Sequence, residues 1–404
     1  MQEKSAGRKI LIGCGWILAT AVLLIGLTTA FNWYRIRQVT LVLVDILAEP
    51  AYATGLNTPE SVLDFLEAHQ ENVSLVSYTV APDGTAVNDE TQIYHNADEQ
   101  MPLASTKKIL VLAAYAQAVA EGDLEPETAV SLADWQRFHL PGTNGGAHLA
   151  ALEVLGIEID EFGFAADPSQ TVTLDQIVFA MIEYSDNAAP DYLIDLLGTE
   201  AINAIVTDAG FTPHPILPHI GLILTWQNHE QPRLTNRVLN ELTGLSKEVY
   251  AARVWEMNER YLNSAWGESE IAWRRDVERP QNIHRLEQEA ATRLDSTGSA
   301  NLYAQIMAGV ITETFISPEV SVLMKGYLEW PMAFSSNQNS FEAMGTKGGS
   351  LLGIKTEATY FVPKSGDFSQ QPRVVVLFMR DMPFGAWIRL SQTFAQQGFQ
   401  NRLA

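Results

Sequence analysis

Ser105-Thr106-Lys107-Lys108 is the stretch on which the reading of this chain turns, and it is the only Ser-x-x-Lys in the sequence. A helical pattern opens at Ser105, with Ile109, Leu112, Ala113, Ala116 and Ala120 on one face and Gly122 ending it. On such a helix positions i and i+3 lie together, so the Lys108 amine reaches the Ser105 hydroxyl while Lys107 points elsewhere. A serine hydroxyl is a poor nucleophile until a neighbouring base takes its proton, and a lysine is a base only when neutral. The helix N-terminus, burial and a second nearby cation all disfavour a charged Lys108. By itself the string also fits a helix N-cap followed by a surface lysine. Its context decides between the two readings.

Working outward, two further strings follow in order. Ser185-Asp186-Asn187 falls between a helix opened by the capping-box string Thr173-Leu174-Asp175-Gln176 and a helix whose first turn accommodates Pro190. There a hydroxyl can relay a proton and an amide can hold a substrate carbonyl. Lys347-Gly348-Gly349, preceded by Thr346, adjoins strand-like sequence. An ammonium there attracts a carboxylate, and glycines allow a substrate backbone to approach. A plain capping turn and a plain hairpin would explain each string singly. Their order and contexts, helix start, then interhelix loop, then strand, are what set them apart from plain turns. Around them, Val62, Phe65 and Leu66 mark a short helix and Val73 to Val80 a strand, with Asp83-Gly84 as a turn. Thr356 to Val362 and Arg373 to Met379 read as strands, and a closing helix follows Pro383.

Together with Tyr94-His95-Asn96-Ala97-Asp98 and Met101-Pro102-Leu103-Ala104 leading into Ser105, these strings resemble class A β-lactamases and penicillin-binding proteins. The resemblance covers residues 57–404. It implies an α/β (α+β) fold of the β-lactamase/DD-peptidase type, with a five-stranded antiparallel sheet flanked by helices and a mostly helical subdomain. The sheet part would span 57–104 and 320–404 and the helical part 105–319. It also implies Ser105 as acylated nucleophile, Lys108 as its base partner, Ser185 as proton relay, Asn187 as contact to substrate and Lys108, and Lys347 as carboxylate anchor. Thr346, Gly348, Gly349 and Ser350 would line the substrate, with the backbone N–H groups of Ser105 and Ser350 as oxyanion hole. No metal or organic cofactor is implied. The substrate expected first is a β-lactam amide. A D-alanyl peptide or ester of the cell wall comes next, and a non-hydrolytic sensor acylated once is the competitor from another class.

Two departures bear on mechanism. The family carries Thr or Ser where this chain has Gly348, so the substrate carboxylate loses a hydroxyl that Thr346 or Ser350 would have to replace. Installing Thr at 348 is then expected to lower the Michaelis constant for anionic β-lactams. The family's deacylating Glu lies about three dozen residues beyond Ser-Asp-Asn, and that window reads Ile216-Leu217-Pro218-His219-Ile220-Gly221-Leu222 without a carboxylate. Glu230 and Glu241 are the acids further on, and a slowly released acyl-enzyme is expected.

The remaining sequence sets the surroundings. Residues 10–31 carry no charge and, at about 1.5 Å per residue, reach roughly 33 Å, enough for a hydrocarbon core of about 30 Å. With Lys4, Arg8 and Lys9 before it, this segment reads as a signal-anchor, leaving a cytoplasmic stub (1–9), a linker (32–56) and an exported hydrolase domain. The run is longer than a cleaved signal, although Thr28-Thr29-Ala30 offers small residues for cleavage. The one cysteine, Cys14, lies inside it, so no intrachain disulfide forms. A formal charge of −22 excludes nucleic acid as a partner. His214 and His219 lack a third ligand at a useful spacing and read as solvent-facing or capping residues. Ala252, Trp255, Leu262, Trp266 and Trp273 suggest an aromatic stripe packing a helical insertion onto the domain, and Gly142 to Gly146 a connection at the cleft rim.

Overall fold

The computed structural model describes residues 55–143, 145–276 and 285–394. The anchor expected over 10–31 and most of the linker lie outside them, and no described helix is long and apolar enough to cross a membrane. Around the site the elements run, in chain order, α1 (Pro59–Ala68), β1 (Val73–Thr79), β2 (Ile93–His95), α2 (Lys108–Glu121) and α3 (Leu174–Ile182). Then come α4 (Ala188–Leu197), α5 (His219–Trp226), α6 (Lys247–Leu262), α7 (Ala265–Arg275) and α8 (Ala300–Ile311). The chain returns to strand in β3 (Phe341–Leu351), β4 (Ile354–Pro363) and β5 (Arg373–Met379) before the last helix, α9 (Phe384–Phe394).

The five strands form one antiparallel sheet ordered β2-β1-β5-β4-β3, so β3, which carries Lys347, is an edge. Alternation along the strands divides two cores. Val76, Tyr78, Tyr360, Val374 and Phe378 pack inward with α2 and α8. Val73, Leu377 and Met379 meet Val62 and Phe65 of α1 and Ala386 and Leu390 of α9 on the opposite face. This is the five-stranded antiparallel sheet flanked by helices that the resemblance implied.

Helix α2 departs from its expected amphipathic pattern. Every residue from Lys108 to Ala116 is buried, so it is a central helix and not a half-exposed one. Each fully buried Leu, Ile or Val contributes about 1.5–3 kcal/mol, which locks the helix behind the nucleophile. The helix also begins later than expected, because Ala104–Lys107 form a 3-10 turn and α-helical geometry starts only at Lys108. The aromatic stripe is likewise corrected. Ser264 caps a new helix by accepting from Trp266 N, which breaks the stripe into α6 and α7. The buried face of α6 is set by Tyr250, Val254, Asn258 and Tyr261, with Trp255, Leu262 and Trp266 packed at its margin.

Candidate active site

Ser105 stands on the 3-10 turn between sheet and central helix. Ala104 before it takes a left-handed backbone, φ 48°, a conformation that costs about 1–3 kcal/mol outside glycine and persists only when surroundings impose it. Those surroundings are visible. Thr106 Oγ1 lies 2.7 Å from Thr356 Oγ1 of β4, and Thr356 donates to Leu103 O at 2.9 Å. Lys107 donates to Asp295 Oδ1 at 3.0 Å and Leu217 O at 3.1 Å in a buried pair, so it does point away from Ser105. On the strand side, a Cβ on Gly349 would lie 2.5 Å from Ser105 N. Only a glycine lets β3 approach the nucleophile this closely.

The bland reading of Ser-x-x-Lys is overturned here. Ser105 caps no helix, and Lys108 is 1% exposed. The Lys108 Nζ is 3.2 Å from Ser105 Oγ, 2.6 Å from Ser185 O, 3.2 Å from Ser185 Oγ and 2.8 Å from Asn187 Oδ1. Burial first, then the charge of Lys347, holds Lys108 well below the ordinary lysine range, against the pull of Asp186 and Asp191. A neutral amine in this position can accept the Ser105 proton. Ser185 Oγ is also 3.0 Å from Lys347 Nζ, so one hydroxyl joins two amines. Lys347 is itself buried, which lowers it to about 8 with Glu357 working in the opposite sense.

The Ser-Asp-Asn loop is held from below. Ser185 adopts φ 61°, a second left-handed non-glycine residue at the site. Asp186 accepts from the Ala188 and Ala189 amides of α4 at 3.2 and 2.7 Å, and pairs with the fully buried His148 at 3.0 Å. Burial works to raise Asp186, but His148 and the loop amides outweigh it and bring the carboxyl to about 2. His148 carried no signal in the sequence, because its partner is 38 residues away and both side chains are enclosed only by the fold.

On the β3 side, Thr346 joins the cleft wall, but its hydroxyl faces Glu357 and lies 2.8 Å from Thr359 Oγ1. It is engaged within the sheet and not turned toward an incoming carboxylate. Ser350 Oγ accepts from Trp387 Nε1 at 3.1 Å, near the mouth. The space above Gly348 is filled by the Glu357 carboxylate.

Two expectations about the helical side change. Glu230 and Glu241 are exposed and paired with Arg260 and Arg253, and neither lines the cleft. His219, by contrast, is neither solvent-facing nor a cap. It opens α5 as part of the cleft wall, with Nε2 at 3.4 Å from Asn187 Nδ2 and 3.1 Å from Thr143 Oγ1. Burial, then Lys107 and Lys108, hold its imidazole at about 3. The glycine-rich connection reaches the rim through Thr143 and Gly145. His214 stays half-buried outside the cleft, and among the described residues no group of three or more His, Cys, Asp or Glu is placed to hold a metal.

All nine residues singled out in the sequence line one cleft of about 690 Å³, in which Ser185 and Asn187 reach Lys108. Residues 60–378 match the Beta-lactamase enzyme family (Beta-lactamase2). Among solved structures, a beta-lactamase from Sphaerobacter thermophilus DSM 20745 is 17% identical, covering 83% of this chain and 96% of its own, with a TM-score of 0.44. A beta-lactamase from Chitinophaga pinensis DSM 2588 is 12% identical, covering 83% and 97%, with a TM-score of 0.46. The L158E mutant of PBP-A, as an acyl-enzyme complex with penicillin G, is 13% identical, covering 85% and 94%, with a TM-score of 0.43. No match is found among the curated proteins. With the family match spanning most of its length, the chain belongs to the Beta-lactamase enzyme family and is a serine hydrolase.

Proposed function

We propose that this protein opens a β-lactam-type amide through an acyl-enzyme on Ser105, working outside the cytoplasm and tethered by residues 10–31. The observation that carries the reading is the single amine of Lys108, within hydrogen-bond distance of Ser105 Oγ, Ser185 Oγ and Asn187 Oδ1 at once. Neutral Lys108 takes the Ser105 proton as Oγ adds to the ring carbonyl carbon. The negative charge that develops on the carbonyl oxygen falls to the Ser105 and Ser350 amides. Ser185, bridging Lys108 and Lys347, passes a proton to the departing ring nitrogen, the C–N bond breaks, and an ester to Ser105 remains. Asn187 orients the substrate amide and Lys347 faces its anionic end.

The tether rests on the charge-free run from Ile10 to Phe31 with basic residues ahead of it. Loss of β-lactam ring absorbance with the full-length protein in detergent tests the activity. Turnover that disappears in Ser105→Ala supports it, and equal rates in both proteins contradict it. Fractionation tests the address, which predicts membrane retention after a carbonate wash.

A further inference from the structure

The cleft contains a titratable group that acylation does not use. His219 reaches the site as the first residue of α5, and its position is over-determined. The Asp191 carboxylate of α4 accepts from the His219 and Ile220 amides, each at 2.8 Å, a carboxylate at a helix N-terminus where the helix dipole favours it. From behind, α5 sits against α6 so closely that a Cβ on Gly221 would lie 2.1 Å from Val254 O. The helical insertion thus serves as a backing for the helix that starts with His219.

From the ring outward the contacts lead directly to the nucleophile. His219 Nε2 meets Asn187 Nδ2 at 3.4 Å, Asn187 Oδ1 meets Lys108 Nζ at 2.8 Å, and Lys108 Nζ meets Ser105 Oγ at 3.2 Å. Both Ser105 and His219 face the same cleft. Held at about 3 by burial and the two lysines, the ring is neutral through the ordinary pH range, and because Asn187 Nδ2 can only donate, the nitrogen that carries the lone pair toward the cleft is Nε2. Its basicity is then close to that of a carboxylate.

Building on the acyl-enzyme reading above, we infer that His219 is the general base that releases the acyl group from Ser105. A water held between the imidazole and the ester adds its oxygen to the acyl carbon as its proton passes to the ring. On collapse the bond from carbon to Ser105 Oγ breaks, the proton held by the imidazole returns to Oγ with neutral Lys108 as the relay, so that ring and amine both end neutral, and the free acid departs. The imidazole occupies the role that Glu230 and Glu241, which lie outside the cleft, do not fill; of the carboxylates that line the cleft, Asp191 is engaged with the α5 amides, Asp295 with Lys107 and Glu357 with Thr346. Asn187 serves both halves of the reaction, because its amide lies between base and nucleophile.

The test follows formation and decay of the Ser105 adduct by intact mass, using benzylpenicillin and the full-length protein, in wild type, His219→Asn, His219→Glu and His219→Ala. Expected are acylation within about threefold of wild type in both His219→Asn and His219→Glu, decay at least 100-fold slower in His219→Asn, and recovery of decay in His219→Glu. Added imidazole should also speed decay in His219→Ala, which a merely structural histidine would not show. Decay at the wild-type rate in His219→Asn overturns the inference while leaving the acyl-enzyme intact. Absence of any Ser105 adduct in wild type removes the acyl-enzyme reading and the inference with it.

Discussion

A Cβ placed on Gly348 would lie 2.4 Å from Oε2 of Glu357, its cross-strand partner on β4. The missing hydroxyl of the third motif therefore leaves no empty socket, because a carboxylate occupies the space. Thr346 fixes that carboxylate from the other side. The simple expectation that Thr at 348 improves binding of anionic β-lactams is revised accordingly. Gly348→Thr alone should leave the Michaelis constant unchanged or raise it. Combined with Glu357→Ala it should lower the constant about tenfold, the ~1.4 kcal/mol of one charge-assisted hydrogen bond. Steady-state kinetics on the two variants and Glu357→Ala decide it.

Acylation should carry an acid limb set by Lys108. Its pKa is depressed, so the neutral, competent amine exists above that pKa and is lost as pH falls through it. Lys347 is the largest charge pressing it down. Lys347→Met should therefore move the acid limb to higher pH, whereas Ser350→Ala should leave the limb in place. A pH series of single-turnover acylation rates measures both, and an unmoved limb in Lys347→Met contradicts the coupling.

Lys107 and Asp295 form a pair whose side chains are 11% and 1% exposed. Removing one partner strands the other charge in the interior, a change that costs about 3–5 kcal/mol. Asp295→Asn and Lys107→Met should each lower the urea midpoint by that equivalent. The double variant should lose less than the two single losses combined, because no unpaired charge remains. Additive losses would show that the two side chains do not depend on each other.

Gly349→Ala tests the close approach of β3 to the nucleophile. The new methyl would sit 2.5 Å from both Ser105 N and Thr356 Oγ1. The strand must shift away, and a displacement near 1 Å at a reacting centre costs about 100-fold in rate. Acylation should fall by that order while the far-ultraviolet spectrum stays that of the native protein.

The legible parts of this site were the local ones. Ser105 and Lys108 lie three residues apart, so helical periodicity alone brings them together, and the strands β1, β4 and β5 announce themselves by β-branched runs. His219 was misread because what makes it a cleft residue is tertiary. Asp191 caps its helix from 28 residues away, and Thr143 meets its ring across 76. The opposition of Gly348 and Glu357 depends on the register of the β3–β4 hairpin, which turns at Gly353 with φ 76°, a detail that strand propensity does not supply. The aromatic stripe failed at one residue, Ser264, whose hydroxyl ends one helix and starts the next. Ser and Asn caps compete locally with helix continuation, and periodicity counting is blind to that competition.

The most direct measurement is the intact mass of the protein after mixing with benzylpenicillin, followed over time beside Ser105→Ala, with the modified peptide sequenced. The expected result is a gain equal to one whole penicillin, located on Ser105, absent from the variant and declining as penicilloate accumulates. An adduct that survives in Ser105→Ala, or no adduct while penicillin is consumed, would contradict it.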